Sequence, residues 1–361
     1  MRNPLRTTLA ALAAAVPALA LAATPGQGPS AEAVSALRQV PVDLSLVPPL
    51  SLNGDGRVEN HLSIGVVARS TVLRGLALAP VHLADEDVSG AQVTWAAASA
   101  GGVVRGVQLA TVTTVARDLR GLQASQVVNV VRGGGEGVQL GGAANFARRL
   151  EGVQVAAVNV AGGLSGVQLA LVNVGGEVAG TQLGLVNVAR RVRGAQVGLV
   201  NLAEEADGSV GVLALVRSGR HELELYATEL TPLAAGVRLG GRRAYGVLAA
   251  GAQPDAQPRS GKTLSTLGGG AGVGFEPAQR LALDLDLVAQ AVSLDGTPEA
   301  VLGILRAVAA YRLTEWMGIL AGPTANVLVS DEDQPDLHLG WKLGGGRYAR
   351  VWVGFVAGVR I

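Results

Sequence analysis

A unit of 14 residues repeats without a gap from Gly152, with starts at Gly152, Gly166, Gly180, Gly194 and Gly208. The shared pattern is G-x-Q-(V/L)-x-(L/A)-V-N-(V/L)-(A/G)-x-x-ϕ-x, where ϕ is apolar. So strict a period means one small structural unit copied along an axis. Upstream the spacing loosens to 15 or 16 residues, with starts at Gly75, Gly90, Gly106, Gly121 and Gly137. Gln follows the Gly by two residues in eight successive units, at Gln92, Gln108, Gln123, Gln139, Gln154, Gln168, Gln182 and Gln196. Asn recurs at Asn159, Asn173, Asn187 and Asn201.

A pair of helices needs more residues than this unit offers, and Val-rich segments broken by Gly disfavour helix. Two β architectures remain. Each unit is one coil of a parallel β-solenoid, or one strand and turn of a large up-and-down outer-membrane barrel. Side-chain parity separates them. In Gly180–Arg193 a turn near Gly184-Leu185 resets the alternation. Leu183, Val186, Val188 and Val192 can then face inward, leaving Gln182, Asn187, Arg190, Arg191 and Arg193 outside. Charge gives a second criterion. Glu177 precedes Arg191 by 14 residues, and Arg190, Arg191 and Arg193 precede Glu204, Glu205 and Asp207 by the same interval. A solenoid stacks such residues about 4.8 Å apart, whereas in the barrel successive turns lie at opposite rims. The expected fold is all-β: a parallel β-solenoid followed by an antiparallel β-barrel-like domain. One large outer-membrane barrel is the alternative.

The expected boundaries are a signal peptide over 1–22, an irregular leader over 23–60, the array over 61–221 and an antiparallel domain over 222–361. Arg2 and Arg6 precede the apolar stretch Thr8–Leu21, and Ala20-Leu21-Ala22 has the form of a signal-peptidase site, so the mature chain is expected to begin at Ala23. Nine of the eleven aromatics follow residue 221. There Leu223 and Leu225 alternate with Glu222 and Glu224, and Leu281, Leu283, Leu285 and Leu287 flank Asp284 and Asp286. This is the period-2 signature of strands.

Gly180-Thr181-Gln182-Leu183-Gly184-Leu185-Val186-Asn187 and Gly194-Ala195-Gln196-Val197-Gly198-Leu199-Val200-Asn201 resemble the G-x-Q-x-G-L-V-N repeats of a bacterial surface-repeat family. That family was first named from leptospiral surface proteins and is spread through Gram-negative genomes. The resemblance extends over about residues 60–361, including Asn60-His61-Leu62-Ser63. It implies an exported, envelope-associated protein and supplies no catalytic residues. Some relatives look like lipoproteins, a form closed to this chain because it has no cysteine.

Composition narrows the functional classes. Hydrophobic residues make up 49% of the chain and the net charge is +1, which excludes disorder and gives no reason to expect nucleic acid as a partner. Ser260-Gly261-Lys262-Thr263 lacks the first glycine of a P-loop, and Gly268–Gly274 lacks the order of a dinucleotide fingerprint. Asn53-Gly54-Asp55-Gly56 misses two key carboxylates of a calcium loop. His61, His82, His221 and His338 have no metal spacing, no nucleophile elbow is present, and Asp331–Asp333 reads as a solvated loop. No cofactor is implied. The candidate binding feature is the polar ladder of Gln154, Gln168, Gln182, Gln196, Asn159, Asn173, Asn187 and Asn201. It offers an outward row for an unidentified ligand, or amides that bond along the stack and stabilise it; the second reading is preferred. The function expected is an exported, non-catalytic envelope protein with a structural or adhesive role, partnered by outer-membrane or envelope components. The alternative is an outer-membrane pore or transport-type barrel.

Overall fold

The structure, a computed structural model, describes residues 37–48, 50–53, 56–257, 262–330, 341–343 and 348–361. The expected signal peptide, residues 23–36 of the expected leader, Gly54-Asp55, Ser260-Gly261, the Asp331–Asp333 cluster and His338 lie outside the described residues.

The array is a parallel β-solenoid of about 11 coils, and every coil hydrogen-bonds in parallel to the one before it. Residues 14 apart pair directly: Val172 with Val186, Asn173 with Asn187, Glu177 with Arg191, Gly180 with Gly194. The charge pattern is met as expected. Arg191 bridges Glu177 at 3.2 Å and Glu205 at 2.9 Å in the coils on either side, and Arg190 reaches Glu177 at 2.6 Å. The stack begins earlier than residue 61. Arg38–Val47 lies parallel to Val58–Gly65 as the first rung, so the second half of the expected leader belongs to the solenoid.

The turn at Gly184-Leu185 resets side-chain parity, but the inward set differs from the expected one. Inside a typical coil sit one Gln, one Asn, one Ala and one Leu or Val; in the Gly180–Arg193 region these are Gln182, Asn187, Ala189 and Val192. Leu183 and Leu185 lie outside, 36% and 50% exposed. The usual assignment of amides to water and leucines to the core fails because the cross-section is small. Four side chains fill it, and two of them are amides that satisfy one another along the axis.

The repeated glycine has its own cause. From Gly75 to Gly194 each one has φ between 134° and 144°, a region open to glycine alone. A Cβ on Gly180 would stand 2.0 Å from the Gly166 carbonyl oxygen. Gly180→Ala is therefore expected to cost at least ~1–3 kcal/mol from backbone strain alone, seen as a lower urea midpoint for the array. An unchanged midpoint would contradict this account of the glycine column.

After residue 216 the chain changes architecture. Eight strands, Arg220–Thr228, Leu233–Gly240, Ala244–Gln257, Lys262–Ala278, Leu281–Leu294, Thr297–Arg312, Gly318–Ser330 and Tyr348–Arg360, run antiparallel to their neighbours. The eighth pairs back onto the first, Glu224 with Arg360 and Thr228 with Val356, and so closes a barrel. The alternative of one barrel built from repeats and C-terminal strands together is excluded, because the repeat strands stack parallel on one another while the eight C-terminal strands close a barrel by themselves.

Candidate functional site: a charged barrel lumen

The barrel is inverted with respect to a water-soluble one. Its outward residues are apolar or uncharged along whole strands: Leu283, Leu285, Leu287, Ala289 and Ala291 on the fifth, Val301, Leu305, Ala307, Ala309 and Tyr311 on the sixth. Leu287 is 65% exposed and Val353 74%. The acids that alternate with those leucines point into the lumen. An eight-stranded barrel is just wide enough for side chains to fill it, so every inward charge must be answered by another inward charge.

Four arginines meet four acids there. Glu224 lies 3.0 Å from Arg238, 3.0 Å from Arg306 and 2.7 Å from Arg360. Asp284 contacts Arg220 at 2.9 Å, Arg238 at 2.7 Å and Arg360 at 2.8 Å. Asp286 contacts Arg238 at 2.6 Å and Arg306 at 2.7 Å and accepts a hydrogen bond from the Tyr245 hydroxyl at 2.9 Å. Glu222, nearer the rim, lies 3.6 Å from Arg220 and 3.5 Å from Arg360. Tyr245 also stacks under Arg220 and Arg238. The set is charge-neutral and multiply bonded, the condition under which buried ions are tolerated.

Beyond this layer the lumen is sealed again. Leu264, Val292, Leu302, Leu328 and Trp352 form an apolar plug. At the mouth farthest from the solenoid Glu229 folds back over it, accepting hydrogen bonds from Trp352 Nε1, Asn326 Nδ2 and the Phe355 amide. Between the charged and apolar layers the open space is about 20 Å³, room for about one water molecule. Sequence reading found the Glu222, Glu224, Asp284 and Asp286 alternation but not its inward direction. Arg306, the one charge between Val301 and Tyr311 in an otherwise apolar stretch, was the available signal.

The amides named from the sequence lie elsewhere and do not form an outward ladder. Gln154, Gln168, Gln182, Gln196, Asn159, Asn173, Asn187 and Asn201 are all wholly buried inside the coils. Each Gln donates to the Gln of the preceding coil, Gln154 to Gln139 at 2.7 Å and Gln168 to Gln154, Gln182 to Gln168 and Gln196 to Gln182 at 2.8 Å. The Asn column donates the opposite way, Asn173 to Asn187 at 2.9 Å and Asn187 to Asn201 at 2.8 Å. Its second amide hydrogen goes to a backbone carbonyl, as from Asn173 to Leu183. A row with no exposure cannot receive a ligand from solvent; its contribution is to the stability and register of the stack.

One position in the Asn column titrates. His82, wholly buried, accepts from Gln92 Nε2 at Nδ1, 2.6 Å away, which leaves its proton on Nε2 toward Ser70. Burial lowers its pKa from 6.5 to about 4, against a smaller opposing pull from Asp43. The unfolded chain therefore binds a proton that the folded one refuses. The stability contributed is complete above pH 6.5 and is lost as pH falls from 6.5 to about 4, by about 3 kcal/mol. His82→Asn, which restores the residue of the later coils, should remove this slope in acid-unfolding curves. An equal slope in the variant would show that another group is responsible.

Among the described residues no cluster of three or more metal-ligating side chains occurs. No protein-family model, curated protein or solved structure matches the chain.

Proposed function

We propose that the C-terminal barrel spans an outer membrane and anchors the solenoid, so that the protein is an exported, non-catalytic structural repeat protein of the envelope. The observation that carries this is the inverted barrel: an uncharged exterior around a charged lumen. On the sixth strand the outward face is uncharged from Val301 to Tyr311. That is roughly 33 Å of strand and, at a tilt of about 40°, an apolar band about 25 Å tall, the height of a bilayer core. In water such a band would be an aggregation surface. The signal-like N terminus and the resemblance to envelope repeat proteins support the same reading.

The rival function, a pore, is opposed by the two sealed layers of the lumen.

Refolded into phospholipid vesicles, the protein is expected to migrate differently on SDS gels before and after boiling and to give no step conductance in planar bilayers. Identical migration, with the protein left in the soluble fraction, would refute the membrane anchor. Regular single-channel steps would favour the pore.

A further inference from the structure

The solenoid carries its charges on one edge only. The exposed Asp, Glu and Arg of the coils fall between the inward Ala position and the next Gly, as in Arg190, Arg191 and Arg193 or Glu204, Glu205 and Asp207. The opposite edge, around the turn between the Gln and Asn columns, holds no charged residue from Leu62 to Val216. It is exposed and apolar: Leu169 47%, Leu171 57%, Leu185 50%, Val197 43%, Leu199 54%. In an earlier coil Trp95 stands out on the same edge, 62% exposed. Rows of this kind, continuous over many coils, mark a surface that something apolar covers.

The junction with the barrel shows which way this edge faces. The last full coil continues into the barrel wall as a parallel neighbour, Gly208 pairing with Ala244. Its charged corner meets the rim turn: Arg242 binds Asp207 at 3.0 Å and the Arg243 amide donates to the Asp207 carbonyl. Its apolar corner meets the wall farther in, where Gly211 covers Gly246 so closely that a Cβ there would be 2.4 Å from the Gly211 carbonyl. From Asp207 to Gly211 the coil thus runs from the rim toward the apolar belt. Val212 and Leu213, 56% and 42% exposed, follow Gly211 in the coil, as the outward Leu248 follows Gly246 by two residues in the wall. The apolar edge is continuous with the belt.

The axis direction agrees. A solenoid axis is perpendicular to its strands, and the third barrel strand begins as the next rung. With barrel strands tilted about 35–45°, the solenoid axis stands at least about 45° from the barrel axis, on the membrane-plane side of it.

We infer that the solenoid rests along the membrane, with its apolar edge seated in the acyl-chain border of the leaflet and its charged edge in water. The occupant of the edge is lipid. The inference rests on the barrel being the anchor, because the belt sets the membrane plane. Seating an apolar face at that depth, with Trp at the interface, is the arrangement used by monotopic elements.

The chain has no cysteine, so single thiols report single places. Leu171→Cys and Leu185→Cys on the apolar edge, Ser165→Cys on the charged edge and Leu287→Cys on the belt would each be labelled with a small fluorophore. The full protein would then be refolded into phosphatidylcholine vesicles. Quenching by acyl-chain nitroxide lipid is expected at least two-fold stronger at Leu171, Leu185 and Leu287 than at Ser165, with the reverse order for aqueous iodide. If Leu287 is reached by nitroxide while Leu171 and Leu185 behave like Ser165, the solenoid stands off the membrane and the inference fails with the anchor intact. If Leu287 itself is reached by iodide, the anchor fails too. Edge probes shielded from both quenchers would assign the edge to a protein partner or a second copy and overturn the lipid assignment. As a second route, Leu171→Asp with Leu185→Asp should raise iodide quenching of a probe at Leu199→Cys while leaving heat-modifiable migration unchanged. No change in iodide quenching would count against lipid contact.

Discussion

Deleting Gly180–Arg193 is expected to leave a folded, exported protein, whereas deleting Gly180–Val186 is expected to give one that aggregates. The 14-residue deletion joins Ala179 to Gly194, and in the intact stack Gly194 already occupies over Gly180 the position that Gly180 occupies over Gly166. Every column closes up: Gln168 meets Gln196 and Asn173 meets Asn201. One coil in about 11 is lost, and the stability of a stack of near-identical units falls by about one unit's share. The one new conflict is Glu177 facing Glu205, and both are solvated. The seven-residue deletion removes the Gln arm and its turn, puts Asn187 where the column demands a positive-φ glycine, and breaks both amide columns. Buried amides left without partners cost ~1–3 kcal/mol each, and the exposed coil edges become templates for aggregation. Far-ultraviolet circular dichroism and membrane fractionation of both variants decide the matter. Equal failure of the two would show that the array is not modular.

Arg238→Met should have the largest effect of any single substitution. Arg238 is wholly buried and holds Glu224, Asp284 and Asp286 at 3.0, 2.7 and 2.6 Å. Removing one partner of a buried ion pair costs ~3–5 kcal/mol, because an uncompensated charge is left behind, and here one guanidinium serves three carboxylates. Loss of heat-modifiable migration, or a urea midpoint in vesicles lowered by a corresponding amount, is the expected outcome. Arg238→Met combined with Glu224→Gln, which restores the count of charges, should recover part of the loss. A single variant as stable as the parent would mean that the lumen is wetter than its packing indicates.

The stacked β-architecture could be read from the sequence because its cause is local and repeated. A period of 14 with a Gly that no other residue can replace, and charges that pair across that period, admit few folds. The direction of side chains was not legible in the same way. Gln182 and Leu183 are adjacent, and the choice of which one enters the coil depends on whether an identical amide waits in the next coil, a three-dimensional fact. The same ambiguity hid the lumen. Leu283-Asp284-Leu285-Asp286 spells alternation in any strand, and only barrel closure by Arg360 against Glu224 shows that the acids are inside. The start of the array escaped for a different reason: Arg38–Val47 forms a rung without the Gly-x-Gln signature, held by its parallel pairing with Val58–Gly65.

The opposed directions of the two amide columns bear on how long such an array can grow. A file of side-chain amides all pointing one way adds its dipoles head to tail, as peptide groups do along a helix, and the potential at its ends would rise with every copy. Here the Gln file points toward the N-terminal coils and the Asn file toward the C-terminal ones, so each added coil contributes a nearly null pair. Coil number is therefore free of an electrostatic penalty. Duplication or loss of a 14-residue segment of the gene can lengthen or shorten the body in steps of about 4.8 Å, a graduated spacer whose length is open to selection by the distance it has to cover.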